Sequence, residues 1–145
     1  LPEWSVGYQE FNESLLTGNP YLWAAASVAA APLVEELVMR GLCYLRLRDL
    51  LGVKWAMLSS ALIFGISHGN LVQGVYGFLG GLWFAWLAER FGTILVPVLG
   101  HLAANLTVLL LPAGSYGSGA LGLEFLLGTV VCAGCMFRTV QVLKK

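Results

Sequence analysis

Long apolar runs alternate along this chain with short polar or glycine-bearing breaks, and the runs are too long for the strands or surface helices of a soluble domain. A helix crossing a bilayer needs about 20 mostly apolar residues. By that measure the pattern predicts five such helices, over residues 20–45, 54–71, 74–89, 93–111 and 119–137. The third is short, and only a few residues around Gly69 and Asn70 part it from the second, so those two should form a tight antiparallel pair. Ahead of the runs, Glu3, Glu10 and Glu13 alternate with Trp4, Tyr8, Phe11, Leu15 and Leu16. That spacing suits an amphipathic helix lying at the interface, and equally the end of a helix that begins upstream. The expected organisation is an interfacial segment over 1–19 and a membrane-embedded core over 20–145, giving an all-α, multi-pass helix bundle.

Within lipid, close helix contact relies on small residues rather than on the hydrophobic effect. Gly77, Gly81 and Ala85 form one stripe at four-residue spacing and Gly100 with Ala104 forms another; both are read as packing surfaces. Pro32 and Pro97 lack an N–H, so each should free a backbone carbonyl and bend its helix, opening a wet pocket.

Composition strengthens the membrane reading. Of 145 residues, 58% are hydrophobic and 11% charged, against about 25% charged in an ordinary soluble domain. A net charge of zero gives nucleic acid no electrostatic footprint. The three cysteines are an odd count, and Cys132 and Cys135 lack the second ligand pair of a zinc module, so all three are read as buried thiols. The chain starts at Leu1 and shows no leader with a cleavage site, so its true beginning is expected to be missing or processed. Threading five spans places Arg46, Arg48 and Lys54, then Arg90, then Arg138, Lys144 and Lys145 on one side, which the positive-inside rule makes cytoplasmic. The other side receives the acidic amino-terminal segment and the uncharged loop from Pro112 to Gly119.

Against this background the ionisable residues inside the runs need a reason, because each costs about 2.5–3.5 kcal/mol at membrane depth. They form three patterns: Glu35-Glu36 followed by Arg40, Phe64 followed by His68, and His101 followed by Asn105. Residues four apart on a helix lie about 40° apart around its axis, so Glu36 and Arg40 can pair on one face while Glu35 points about 100° away. Arg40 then holds and neutralises Glu36, and Glu35 is freer to face a polar cavity and pass protons to and from water. Phe64 and His68 share a face, as do His101 and Asn105, and the latter two can both donate hydrogen bonds to an oxyanion. Each pattern alone has a plain structural reading, either an ion pair binding helices or a satisfied core histidine. Together they are stronger, since the only two histidines lie at the depth of the only paired acids. With 1.5 Å of rise per residue, Glu35 lies about 16 Å, His68 about 21 Å and His101 about 12 Å from the cytoplasmic boundary.

The segments EELVMR, FGISH and HLAAN resemble the three motifs of the CPBP intramembrane proteases, a family that includes the CAAX prenyl endopeptidases and bacterial relatives linked to bacteriocin processing or immunity. The resemblance runs from about Pro32 to Asn105 in the expected order, with each motif on its own helix. It implies an all-helical endopeptidase that cuts a peptide bond in or beside the membrane. Glu35 resembles the water-activating glutamate, His68 the histidine that works with it, and His101 with Asn105 the oxyanion pair. Glu36 and Arg40 match supporting positions, as does Phe64. Members usually carry further helices before the first motif, which leaves the substrate's entry route open here.

One glutamate and two histidines could also hold zinc, with Glu35, His68 and His101 as ligands, yet their separation lacks the compact HExxH spacing. The preferred reading is a metal-independent glutamate mechanism that requires no cofactor. The expected partners are the bilayer and a membrane protein or lipidated peptide as substrate, in a bacterial plasma membrane or an ER-type membrane. A rhomboid-type serine protease would need a serine in a GxSG context, which neither Ser115 nor Ser118 supplies. From other classes, a proton- or cation-coupled transporter would also line a path with carboxylates and histidines. A non-proteolytic immunity or scaffold protein on the same architecture is the third reading.

Overall fold

The computed structural model describes residues 19–110, which contain four helices and no strand. Helix α1 is the long one, Tyr21–Leu51. Asn19 caps it by accepting hydrogen bonds from the N–H groups of Tyr21 and Leu22 at 3.0 and 3.3 Å, and Pro20 occupies the first turn, where a missing N–H costs nothing. Gly52, at φ 77°, ends α1 in a backbone region that other residues rarely adopt. Helix α2 (Val53–Ser67) follows at once. A three-residue turn through His68, Gly69 and Asn70 leads to α3 (Leu71–Phe91), which Asn70 caps through the Gln73 N–H at 2.9 Å. Left-handed Gly92 closes α3, and α4 (Leu95–Leu110) completes the described chain.

The second and third helices do form the close antiparallel pair. A Cβ on Gly65 would sit 2.6 Å from the Gly74 carbonyl oxygen, and one on Gly81 would sit 3.0 Å from Ala61 Cα, so the backbones touch where side chains are smallest. Helix α1 packs across this pair through Tyr44, Ala56 and Ala85, with Leu47 and Met57 around them. Tyr44 Oη donates to Glu89 at 2.7 Å and Arg48 reaches the same carboxylate oxygen at 3.1 Å, pinning the ends of α1 and α3 together.

The distribution of polarity is inverted relative to a soluble domain. Leu22, Leu50, Trp55, Ile66 and Leu110 point outward, while Glu36, Arg40, Ser60 and His101 are buried. A large exposed apolar surface around a charged interior is what a bilayer, acting as solvent, stabilises. Tyr21–Leu51 and Leu71–Phe91 are long and apolar enough to cross a membrane, and α2 and α4 are shorter apolar helices.

Several boundaries differ from those expected. Helix α1 continues to Leu51, so Arg46 and Arg48 ride on its last turns rather than in a loop. Because Asn70 caps α3, that helix starts earlier and is longer than its hydrophobic run, and α2 is correspondingly shorter. Pro97 does not bend α4: it falls in the first turn, among the N–H positions that a helix start leaves unpaired anyway. The interfacial segment expected over 1–19 lies, but for Asn19, outside the described residues. So do the fifth span over 119–137, the Pro112–Gly119 loop, Cys132, Cys135, Arg138, Lys144 and Lys145.

Candidate active site

Two stretches of α1, Ala26–Ala30 and Leu37–Tyr44, have wider π-helical turns, and they bracket the regular turn Ala31–Glu36 that carries both glutamates. Such insertions cluster at functional positions because they re-aim side chains without ending a helix. From the second stretch Arg40 turns inward, wholly buried, and donates through Nη1 to Glu36 Oε1 at 3.0 Å. Its Nη2 donates to the Gly81 carbonyl on α3 at 2.8 Å. A Cβ at Gly81 would come within 3.3 Å of that Nη2, so the glycine leaves room for the guanidinium. The rings of Phe64 and Phe84 cover the cation, with centroids 4.8 and 5.4 Å from its central carbon.

His101 comes in from α4. Its Nδ1 lies 2.9 Å from Glu36 Oε1, and because a carboxylate only accepts, Nδ1 carries the proton. The opposite ring nitrogen, Nε2, faces Glu35 Oε2 at 3.7 Å. Phe84 stacks on the imidazole at 4.8 Å and 20°, and Phe64 meets it edge-on at 5.8 Å. The ring is thus fixed by one hydrogen bond and two aromatic walls. Glu36 is fully buried, whereas the Glu35 side chain keeps 36% of its exposure. The turn of about 100° between consecutive side chains of a helix produces that asymmetry.

His68 sits at the last turn of α2, where its own N–H bonds back to Gly65 and leaves the Phe64 carbonyl to its side chain. Nδ1 donates to that carbonyl at 2.8 Å, and Ser67 Oγ donates to the same oxygen at 2.7 Å. Nε2 of His68 is therefore the acceptor nitrogen. A Cβ at Gly77 would press on the ring at 3.0 Å, so this glycine too makes space for a site residue. The imidazole meets the Phe64 ring edge-on at 4.8 Å. Asn105, one turn beyond His101, donates through Nδ2 to the Ser27 carbonyl in the first wide stretch of α1, at 2.8 Å.

The model of the family described as type II CAAX prenyl endopeptidase Rce1-like matches residues 17–107, more than half of the chain. The chain belongs to the Rce1-like family. It is also 31% identical over 90 residues, 62% of its length, to the Bacillus subtilis (strain 168) protein named "Putative membrane peptidase YdiL". The match spans 37% of that relative's length. No solved structure matches the chain. With an apolar exterior around described residues whose secondary structure is all helical, this Rce1-like chain is a membrane protein.

Of the residues singled out from sequence, the Rce1-like fold brings Glu35, Glu36, Arg40 and His101 into direct contact and lays Phe64 against Arg40, His68 and His101. His68 reaches this group through the Phe64 ring, and Asn105 is tied to α1 one turn away. Among the described residues no three His, Cys, Asp or Glu side chains stand close enough to hold a metal ion. The set Glu35, His68 and His101 is not drawn together into such a cluster. Three contributors were not evident from sequence: Phe84, the Gly81 carbonyl and the Ser27 carbonyl. The stripe of Gly77, Gly81 and Ala85 was legible as packing, yet two of its glycines also make room for Arg40 and His68.

Proposed function

We propose that this chain carries the catalytic centre of a multi-pass intramembrane endopeptidase acting on a lipidated peptide or membrane protein. The observation that carries the reading is the facing of Glu35 Oε2 and His101 Nε2 at 3.7 Å, on the exposed side of an otherwise sealed ion cluster. That gap is too long for a direct hydrogen bond, yet an oxygen about 2.8 Å from each atom fits to one side of it.

In this reading Glu35 takes a proton from water, and His68, across the Phe64 ring from His101, works with it through its acceptor nitrogen. The oxygen attacks the scissile carbonyl carbon, and the carbonyl electron pair moves onto its oxygen. Asn105 has two amide hydrogens; one is given to Ser27, and the second is available to that oxyanion. His101 donates from Nε2, where it needs a proton beside the one on Nδ1; with Glu35 holding the water's proton, Glu36 and the oxyanion itself balance the charges of His101 and Arg40. When the intermediate collapses the C–N bond breaks, and the leaving nitrogen takes the proton held by Glu35. Glu36 and Arg40 touch no reacting atom and hold His101 in place. No cofactor is needed for these steps. Arg46, Arg48, Lys54 and Arg90 mark the cytoplasmic end of the helices.

The test is purified protein with a farnesylated peptide ending in a CAAX sequence, with and without chelator, alongside Glu35→Gln and His68→Ala. Cleavage that survives chelation and is lost in both variants is the expected result. Ion flux into proteoliposomes without cleavage would replace this reading with transport, and loss of cleavage on chelation would replace the mechanism with a metal-dependent one.

A further inference from the structure

The hydrogen bond that holds Asn105 is made to a carbonyl in a wide turn of α1, and Pro32 lies five residues beyond that carbonyl. The Ser27 carbonyl has two helical donors within reach: the N–H four residues on, at Ala31, in a regular turn, or five residues on, at residue 32, in a wide turn. Ala31 spends its N–H on the Ala26 carbonyl, five residues back. Residue 32 is proline and has no N–H. Ser27 is thus left without a partner from either register, and the amide of Asn105 supplies one at 2.8 Å from a different helix. Pro32 itself is buried in the regular turn that carries Glu35 and Glu36.

We propose that Pro32 is a positioning residue for the reaction: by withholding an N–H it reserves the Ser27 carbonyl for Asn105, and that bond aims the second amide hydrogen of Asn105 at the oxyanion. This rests on the oxyanion role given to Asn105 above. Any residue other than proline at 32 restores a donor. In the present wide register its N–H reaches the Ser27 carbonyl directly, and if the helix relaxes to regular turns the Ala31 N–H does so. Either way the Asn105 amide meets a competitor and loses its fixed direction.

A double-mutant cycle tests this, with Pro32→Ala, Asn105→Ala and the combined variant assayed on the farnesylated CAAX peptide. Asn105→Ala is expected to lower kcat on the order of 10²-fold, and Pro32→Ala roughly tenfold with KM within about twofold. In the Asn105→Ala background, Pro32→Ala is expected to have almost no further effect. Additive losses would overturn the proposal, because a proline acting only on helix packing does not need Asn105. An unchanged rate in Asn105→Ala would instead remove the oxyanion reading beneath it. A second readout needs no turnover. In protein labelled with ¹⁵N-asparagine, the Asn105 side-chain amide should show two well-separated proton resonances that converge in Pro32→Ala. Resonances identical in both proteins would overturn the proposal even if no substrate were cleaved, and Pro32→Val offers the same restored N–H should the alanine variant fold poorly.

Discussion

The two neighbouring glutamates occupy opposite kinds of environment. Glu36 is sealed between Arg40 and His101, which Phe64 and Phe84 in turn cover, with nothing of its side chain exposed. Glu35, the preceding residue, keeps about a third of its exposure and, among the described residues, faces the far nitrogen of the same imidazole at 3.7 Å. A single residue step, about 100° around the helix, thus separates a framework acid from one that can meet water. A charge sealed in apolar surroundings must be paired to be tolerated: Oε1 of Glu36 takes both Arg40 and His101, while its Oε2 is buried with no hydrogen-bond partner among the described residues, and such pairing away from water removes the acid from chemistry. A charge left at the edge is available because it is incompletely paired. The buried half of the site is therefore expected to answer to stability measurements and the open half to rate measurements.

The sharpest way to break this comparison is Arg40→Ala. It strips the buried carboxylate of its cation and removes the side-chain donor that ties α1 to the Gly81 carbonyl of α3, so a loss of about 3–5 kcal/mol in stability is expected from chemical denaturation in detergent. A small loss would mean that Glu36 is not held as a charge. Gly81→Ala comes next: its Cβ would stand 3.0 Å from Ala61 Cα and 3.3 Å from Arg40 Nη2, and overpacking of this kind costs about 1–3 kcal/mol. Because the α2 backbone is the nearer neighbour, α2 and α3 should part, and Arg40 should lose its grip on Gly81. An unchanged thermal midpoint with native cleavage would show that the contact is looser than described. The smallest effect tests whether the distinction is confined to the site. Tyr44→Phe deletes the hydroxyl bound to Glu89 at 2.7 Å and should cost about 0.5–1.5 kcal/mol, leaving KM and kcat of the folded protein unchanged.

How much of this was legible in the sequence follows from which interactions are local. The Glu36–Arg40 pair and the Phe64–His68 contact each span four residues of one helix, so helical periodicity alone exposes them. The exposed Glu35 follows from the same arithmetic. The resemblance to protease motifs placed His101 and Asn105 beside them, but not the atoms they touch. His101 bonds to Glu36 and faces Glu35, and Asn105 bonds to a backbone carbonyl 78 residues away. No periodicity encodes such cross-helix partners. Phe84 was invisible for the same reason, since an aromatic residue in an apolar run reads as core or lipid contact until the stacked imidazole is seen. The boundary errors have a local cause: hydropathy does not register the capping by Asn70 or the tolerance of a helix start for Pro97.

The most direct test of the division between framework and chemistry is to measure cleavage of the farnesylated CAAX peptide and the thermal midpoint side by side for Glu35→Gln and Glu36→Gln. The expected result for Glu35→Gln is a kcat lowered by about 10²–10⁴-fold with a native midpoint; for Glu36→Gln it is a midpoint lowered by several degrees, because both Arg40 and His101 lose their anionic partner. Near-native cleavage by Glu35→Gln, or an unshifted midpoint in Glu36→Gln, would contradict it.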